Sequence, residues 1–384
     1  MLRRPFARAA MLALALMTSV VALMGAACDG GESEAPYTYE LVSNRGPYAV
    51  GVTTLELVDE RRSTEPNGDV PGSPPRKLTV EVWYPASANG SSAETRDAPL
   101  DDRGAPYPLV VFAHGLSGTR RQSASFAQHL ASHGYLVASP DFPLSNLATP
   151  GGPRLLGVLQ QPGDVSFIVD SLLAKAETEG DRFAGAIDGD AVAVSGHSLG
   201  GLTALLTVYG PHRDDRMKAA LAFAPPACFL TSDVVGLTSV PVMVMGGSLD
   251  LIVNRSSYRN GYDVARPPKY YVELVGGNHI SFADLDIGDE VGAAALSSGR
   301  LAPTLVEDAF AVARDIGGSV QTCTARSPTP DDPRMAGDRQ RELARAFAVA
   351  FFDAYVRGND RALAFLQEEL PSLVTDARVE YEAD

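Results

Sequence analysis

The sequence predicts an α/β architecture: an eight-stranded, mostly parallel sheet covered by helices on both faces, with a long excursion after the last strand. Three observations predict it. Strand-like and helix-like segments alternate along the 384 residues. The later strand-like segments are near-continuous apolar runs, as strands covered on both faces are. One of them, 191–195, leads directly into Gly196-His197-Ser198-Leu199-Gly200-Gly201 and then into the helix-like 202–206. That is a sharp strand–turn–helix junction with a serine at its apex.

In chain order, the first segment lies outside this core. Arg3, Arg4 and Arg8 precede an apolar run over 9–24, closed by Gly25-Ala26-Ala27. This is the order of a secretory signal peptide, assigned to 1–27. A membrane anchor is the competing reading; Thr18 and Ser19 interrupt the run, which is short for a span. Cys28 stands where a bacterial lipoprotein signal places its lipidated cysteine. Gly25 replaces the leucine-like residue usual three positions upstream, so plain cleavage near Ala27 is the alternative. The expectation is export, either to a bacterial cell envelope as a lipoprotein or as a secreted protein. Residues 28–45, polar at Asp29-Gly30-Gly31-Glu32-Ser33-Glu34, read as a flexible tether. Residues 46–384 read as one domain.

The first two strands, 50–58 and 78–84, alternate in part. Leu78, Val80 and Val82 face away from Thr79, Glu81 and Trp83, which suits an antiparallel edge. The other six are 109–113, 135–138, 191–195, 219–223, 241–246 and 269–275. Helical spacing of apolar residues appears in 120–133, 163–175 and 343–355. Stretches 61–76 and 86–106, rich in Pro, Gly, Ser and charge, read as surface loops. The excursion 283–338 is too long for a simple connection. It contains a helical pattern at 305–313 and reads as a lid or cap, lined by Leu301, Leu305 and Phe310.

The formal net charge is −15, and loss of the three N-terminal arginines makes the chain more acidic still. Such a surface argues against nucleic acid and anionic lipid as partners. Membrane contact is expected only through a lipid at Cys28, and the expected partner is a small ester. With Cys28 set aside, Cys228 and Cys323 remain. In an oxidising compartment such a pair is expected to be bonded, with two separately buried thiols as the alternative. The cysteines are too scattered and the histidines too dispersed for a metal site. No glycine-rich dinucleotide fingerprint opens the sheet, so no cofactor is expected.

A Gly-x-Ser-x-Gly turn between strand and helix is a nucleophile elbow. The turn strains the serine backbone, and only small residues fit two positions before and after it, hence Gly196 and Gly200. An activated serine needs a histidine to take its proton and a carboxylate to orient that histidine, following in the order Ser, Asp, His. Of six histidines, His114, His129, His133 and His197 precede Ser198, and His212 follows it too soon. His279, directly after the eighth strand, is left as the base. Asp250 follows the seventh strand and reaches the same sheet edge; Asp263 and Asp284 are its rivals. The oxyanion hole needs two backbone amides. These are assigned to Leu199, next to the nucleophile, and Leu116, which follows His114-Gly115 after the third strand. His114 is expected to brace that loop, and His197 to support the elbow.

The segments 108–121, 196–201, 246–250 and 277–284, with 47–85 and its Val82-Trp83-Tyr84-Pro85, resemble one branch of the α/β-hydrolases. It is the platelet-activating-factor acetylhydrolase-like, dienelactone-hydrolase-related branch, and the resemblance spans about 46–370. It implies that the residue after His-Gly and the residue after the nucleophile supply the oxyanion hole, matching Leu116 and Leu199. Dienelactone hydrolases proper use a cysteine nucleophile; Ser198 turns the expectation toward a serine carboxylester hydrolase for short or modified acyl groups. Polyester hydrolases and cutinases are also relatives, but they typically carry an aromatic residue in place of Leu116 and often tryptophan in place of His197. A lipase or cutinase-like enzyme is thus the alternative. A non-catalytic binding lipoprotein on the same fold is the alternative of another class.

Overall fold

The computed structural model describes residues 36–87, 93–285, 289–291, 294, 302–324 and 330–383. The proposed signal peptide 1–27 and Cys28 lie outside the described residues. The chain divides into two units after Tyr37, the second beginning at Thr38. That boundary is earlier than residue 46. Within the second unit a short helix, Tyr39–Ser43, buries Val42 and donates the Tyr39 hydroxyl to Glu342 at 2.6 Å. The tail of the expected tether is therefore packed.

The sheet has ten strands rather than eight. They are β1 (Ala49–Asp59), β2 (Arg76–Ala86), β3 (Thr95–Arg96), β4 (Tyr107–Ala113), β5 (Leu136–Pro140), β6 (Ile187–His197), β7 (Met217–Phe223), β8 (Val242–Gly247), β9 (Lys269–Leu274) and β10 (Ala377–Glu382). Their order is β10-β9-β8-β7-β6-β4-β5-β2-β1-β3. β2 is antiparallel to both β1 and β5, as its alternation predicts, and β5, β4, β6, β7, β8 and β9 run parallel. Every residue of β4, β5, β8 and β9 is buried, which is why those segments read as unbroken apolar runs.

The two additional strands lack that signal. β3 is a two-residue, exposed pairing with β1 inside the stretch read as a surface loop. β10, Ala-Arg-Val-Glu-Tyr-Glu, has no buried residue and lies antiparallel on β9, with Tyr381 stacked on Tyr270 at 5.7 Å. A polar edge strand gains its place from backbone pairing to a neighbour, which composition does not announce.

Helices Gln161–Glu177, Leu199–Val208 and Arg255–Val264 pack into one continuous core with Val80, Val111, Val194 and Val244. Ala124–Ser132 and Gly337–Tyr355 cover the other face, where Phe126 meets Phe112 at 5.3 Å and Phe351 meets Tyr270 at 5.8 Å. No helix among the described residues is long and apolar enough to cross a membrane. The excursion after β9 contains the helix Ala302–Asp315. That helix is pinned: Asp308, 3% exposed, accepts from Arg154 Nε at 3.0 Å and from the Leu156 amide at 3.2 Å. Val312 is buried, whereas Phe310 is 58% exposed and, against expectation, is not among the residues that line the cleft; Leu305 is. Leu301 lies outside the described residues.

Candidate active site

Parallel strands bring their C-terminal ends to one edge of a sheet. Here the ends of β4, β6, β8 and β9 carry Leu116, Ser198, Asp250 and His279 to that edge. Ser198 joins β6 to the helix Leu199–Val208 with φ 56° and ψ −120°. A non-glycine residue with positive φ stores backbone strain, a recurrent feature of functional turns. Its amide is fixed by the Phe223 carbonyl at 2.8 Å. A Cβ on Gly196 would lie 2.2 Å from the Gly200 carbonyl oxygen, and one on Gly200 would lie 2.0 Å from that of Ala113. Both positions therefore accept only glycine.

His279 follows β9 and is buried. Its Nδ1 donates to Asp250 Oδ2 at 2.8 Å, which leaves Nε2 as the acceptor. Asp250 Oδ1 takes the amides of Ile252 at 2.8 Å and Val253 at 2.7 Å, so the carboxylate orients the ring and is itself oriented. Burial pulls the imidazole toward neutrality, but the Asp250 charge and hydrogen bond, with Asp289 behind them, hold its pKa above the ordinary histidine value. Neither rival contacts the imidazole: Asp284 lines the same cleft but turns to the Ser125 amide and hydroxyl, and Asp263 pairs with Arg259 at the surface. His212 is exposed.

The other two buried histidines near Ser198 have both nitrogens occupied. His114 Nδ1 donates to the Gly115 carbonyl at 2.7 Å, and its Nε2 accepts the Phe142 amide at 3.1 Å. His197 Nε2 donates to the His279 carbonyl at 3.0 Å, and its Nδ1 accepts from Gln122 Nε2 at 2.8 Å. Burial holds His114 below, and His197 well below, the usual histidine range. Among these three only His279 is tuned upward.

Gln122 and Asp289 were not singled out by sequence. Gln122 Oε1 accepts the Gly115 amide at 3.0 Å, tying the loop after β4 to His197 and through it to His279. Asp289 accepts the amides of both His279 and Leu251. Gln122 bonds the Gly115 amide and the His197 ring, and Asp289 bonds the amides of Leu251, His279 and Ile280; no local sequence pattern announces these pairings.

Ser198 and His279 line one cleft of about 670 Å³, with Leu116 and Leu199 in its wall. Leu199 opens its helix, where first-turn amides lack intrahelical acceptors. Gly115 packs close beneath the nucleophile, where an added Cβ would lie only 3.2 Å from Ser198 Cβ. Leu147, Leu155, Ile252 and Leu305 make the rest of the wall largely apolar. A disulfide joins Cys228, just past β7, to Cys323, beyond the pinned helix. A hydroxyl at a strained turn and an imidazole oriented by a carboxylate are what nucleophilic acyl transfer requires.

The family described as platelet-activating factor acetylhydrolase, isoform II, matches residues 82–143 of the chain. The platelet-activating factor acetylhydrolase of Cavia porcellus is 23% identical over 227 residues, 47% of this chain and 49% of that protein. The match thus spans about half of that relative's length. Cutinase 1 of Thermobifida cellulosilytica is 26% identical over 216 residues, 54% of this chain and 73% of the cutinase. Among solved structures, a ferulic acid esterase from Streptomyces cinnamoneus superposes with a TM-score of 0.61 at 20% identity, covering 90% of this chain and 98% of the esterase. That last likeness concerns the fold.

Proposed function

We propose that this chain, an α/β-hydrolase akin to these esterases, is an exported serine carboxylester hydrolase for short or modified acyl groups. Ser198 Oγ attacks the ester carbonyl carbon while His279 Nε2 takes its proton. The amides of Leu116 and Leu199 bind the oxyanion. Collapse of the tetrahedral intermediate breaks the bond to the alcohol, which leaves with the proton from His279. Water, deprotonated by the same imidazole, then attacks the acyl-enzyme; the bond to Ser198 Oγ breaks, Oγ takes the proton back from His279, and the acid is released.

The observation that carries this reading is the Asp250–His279 contact at 2.8 Å in the cleft that Ser198 enters at a strained turn. A binding protein on this fold has no need of either feature. Export is supported by the N-terminal pattern, and by the Cys228–Cys323 bond, which suits an oxidising compartment.

The apolar wall of the cleft favours a second reading, a lipase or cutinase-like enzyme for longer chains. Pinning of the helix Ala302–Asp315 by Arg154 speaks for a fixed wall in place of a hinged cover. The two readings separate on a series of p-nitrophenyl esters with purified protein. The acetate and butyrate are expected to give higher kcat/KM than the palmitate. An optimum at long chains, with activation at a lipid interface, replaces the short-chain reading with the lipase.

A further inference from the structure

We propose that Asp289 is a positioning residue that locks the base loop to the acid loop. This rests on the reading of His279 and Asp250 as base and acid. Asp289 is 3% exposed. Its Oδ2 accepts the amide of His279 at 2.9 Å and that of Leu251, the neighbour of Asp250, at 3.0 Å. Its Oδ1 accepts the Ile280 amide at 2.9 Å. One carboxylate thus bridges the segments leaving β8 and β9.

The clamp acts where the acid itself does not. Asp250 places its two oxygens on His279 Nδ1 and on its own loop amides, Ile252 and Val253. It fixes the ring and makes no bond to the backbone beneath it, where His197 holds the His279 carbonyl. Asp289 holds the amides of that backbone, at His279 and Ile280. A misplacement of about 1 Å between reacting groups can cost about 100-fold in rate, so a loop-to-loop tie of this kind acts on kcat.

Burying a carboxylate is costly unless its charge is answered. Among the described residues no lysine or arginine pairs with Asp289, and its three amide donors answer the charge instead. Glu290, next in sequence, is half exposed and pairs with Arg334. The charge has a second consequence. The titratable groups facing His279 are Asp250, Asp289 and His197, and burial keeps His197 neutral. Both carboxylates favour the imidazolium, which forms during turnover when Ser198 gives up its proton to the neutral ring. Asp289 therefore stabilises the transition state more than the resting ring.

The test compares full-length Asp289→Asn and Asp289→Ala with wild type and with Glu290→Gln. Folding is checked by near-ultraviolet circular dichroism. Both Asp289 variants are expected to lose about 10- to 100-fold in kcat, with KM within about threefold. The acid limb of kcat/KM is expected to move to lower pH, because a negative charge favouring protonated His279 has gone. Glu290→Gln is expected to match wild type. The His279 ring, titrated by NMR in a Ser198→Ala background, is expected to show the same downward movement without any turnover.

Folded Asp289 variants with wild-type kcat and an unmoved acid limb overturn the proposal. Loss of the near-ultraviolet signal in both variants also overturns it, and makes Asp289 a folding residue. A wild type that neither reacts with a fluorophosphonate at Ser198 nor hydrolyses any p-nitrophenyl ester overturns the underlying esterase reading instead.

Discussion

His279 Nδ1 donates to Asp250 Oδ2 at 2.8 Å, and the two side chains are 3% and 0% exposed. The contact selects the tautomer with a free Nε2 and raises the proton affinity of the ring. A general base works in its neutral form. With its pKa raised, His279 becomes neutral only at higher pH, so kcat/KM should rise through a midpoint above about 6.5. Asp250→Asn should lower kcat by on the order of 10³- to 10⁴-fold. A pH–rate profile of the wild type with a midpoint below about 6 contradicts this tuning.

The elbow makes a steric prediction. A Cβ at residue 200 would meet the Ala113 carbonyl oxygen at 2.0 Å, a backbone atom that cannot swing aside. Gly200→Ala should cost about 3 kcal/mol or more and remove most activity. Gly189→Ala, whose Cβ would meet Leu173 at an ordinary 3.4 Å, serves as the control. Equal denaturation midpoints for the two variants would show that the turn has room to spare.

The Cys228–Cys323 bond closes a sequence separation of 95 residues. Long closed loops restrict the unfolded chain most, so Cys228→Ser with Cys323→Ser should lower stability by about 3 kcal/mol. Arg154 and Asp308 still hold the helix Ala302–Asp315. Short-ester activity at room temperature should therefore stay within a few-fold of wild type. Identical melting temperatures for oxidised and reduced protein would contradict the stabilising role.

Much of this arrangement was legible because the residues concerned obey local rules. Val110, Val194 and Val244 sit in runs that only a doubly covered strand tolerates, and Gly196 and Gly200 flank Ser198 at the one spacing an elbow allows. His279 emerged by elimination, since chain order excluded five other histidines. What escaped depends on pairings that no local sequence pattern announces. β10 is held by pairing to Lys269–Leu274 and buries nothing. Gln122 and Asp289 matter through amides of Gly115, His279 and Leu251. Phe310 obeys helical spacing but falls on the outer side of its helix, because Asp308 and Val312 determine which side faces in.

The central claim is that Ser198 is the nucleophile activated by His279. It is tested most directly by labelling with a fluorophosphonate, which reports the nucleophile without knowledge of the natural ester. Wild type should label stoichiometrically, with the adduct mapped to Ser198. Ser198→Ala should not label, and His279→Ala should label at least about 100-fold more slowly. Absence of labelling in the wild type, or equal labelling of Ser198→Ala, would contradict the account.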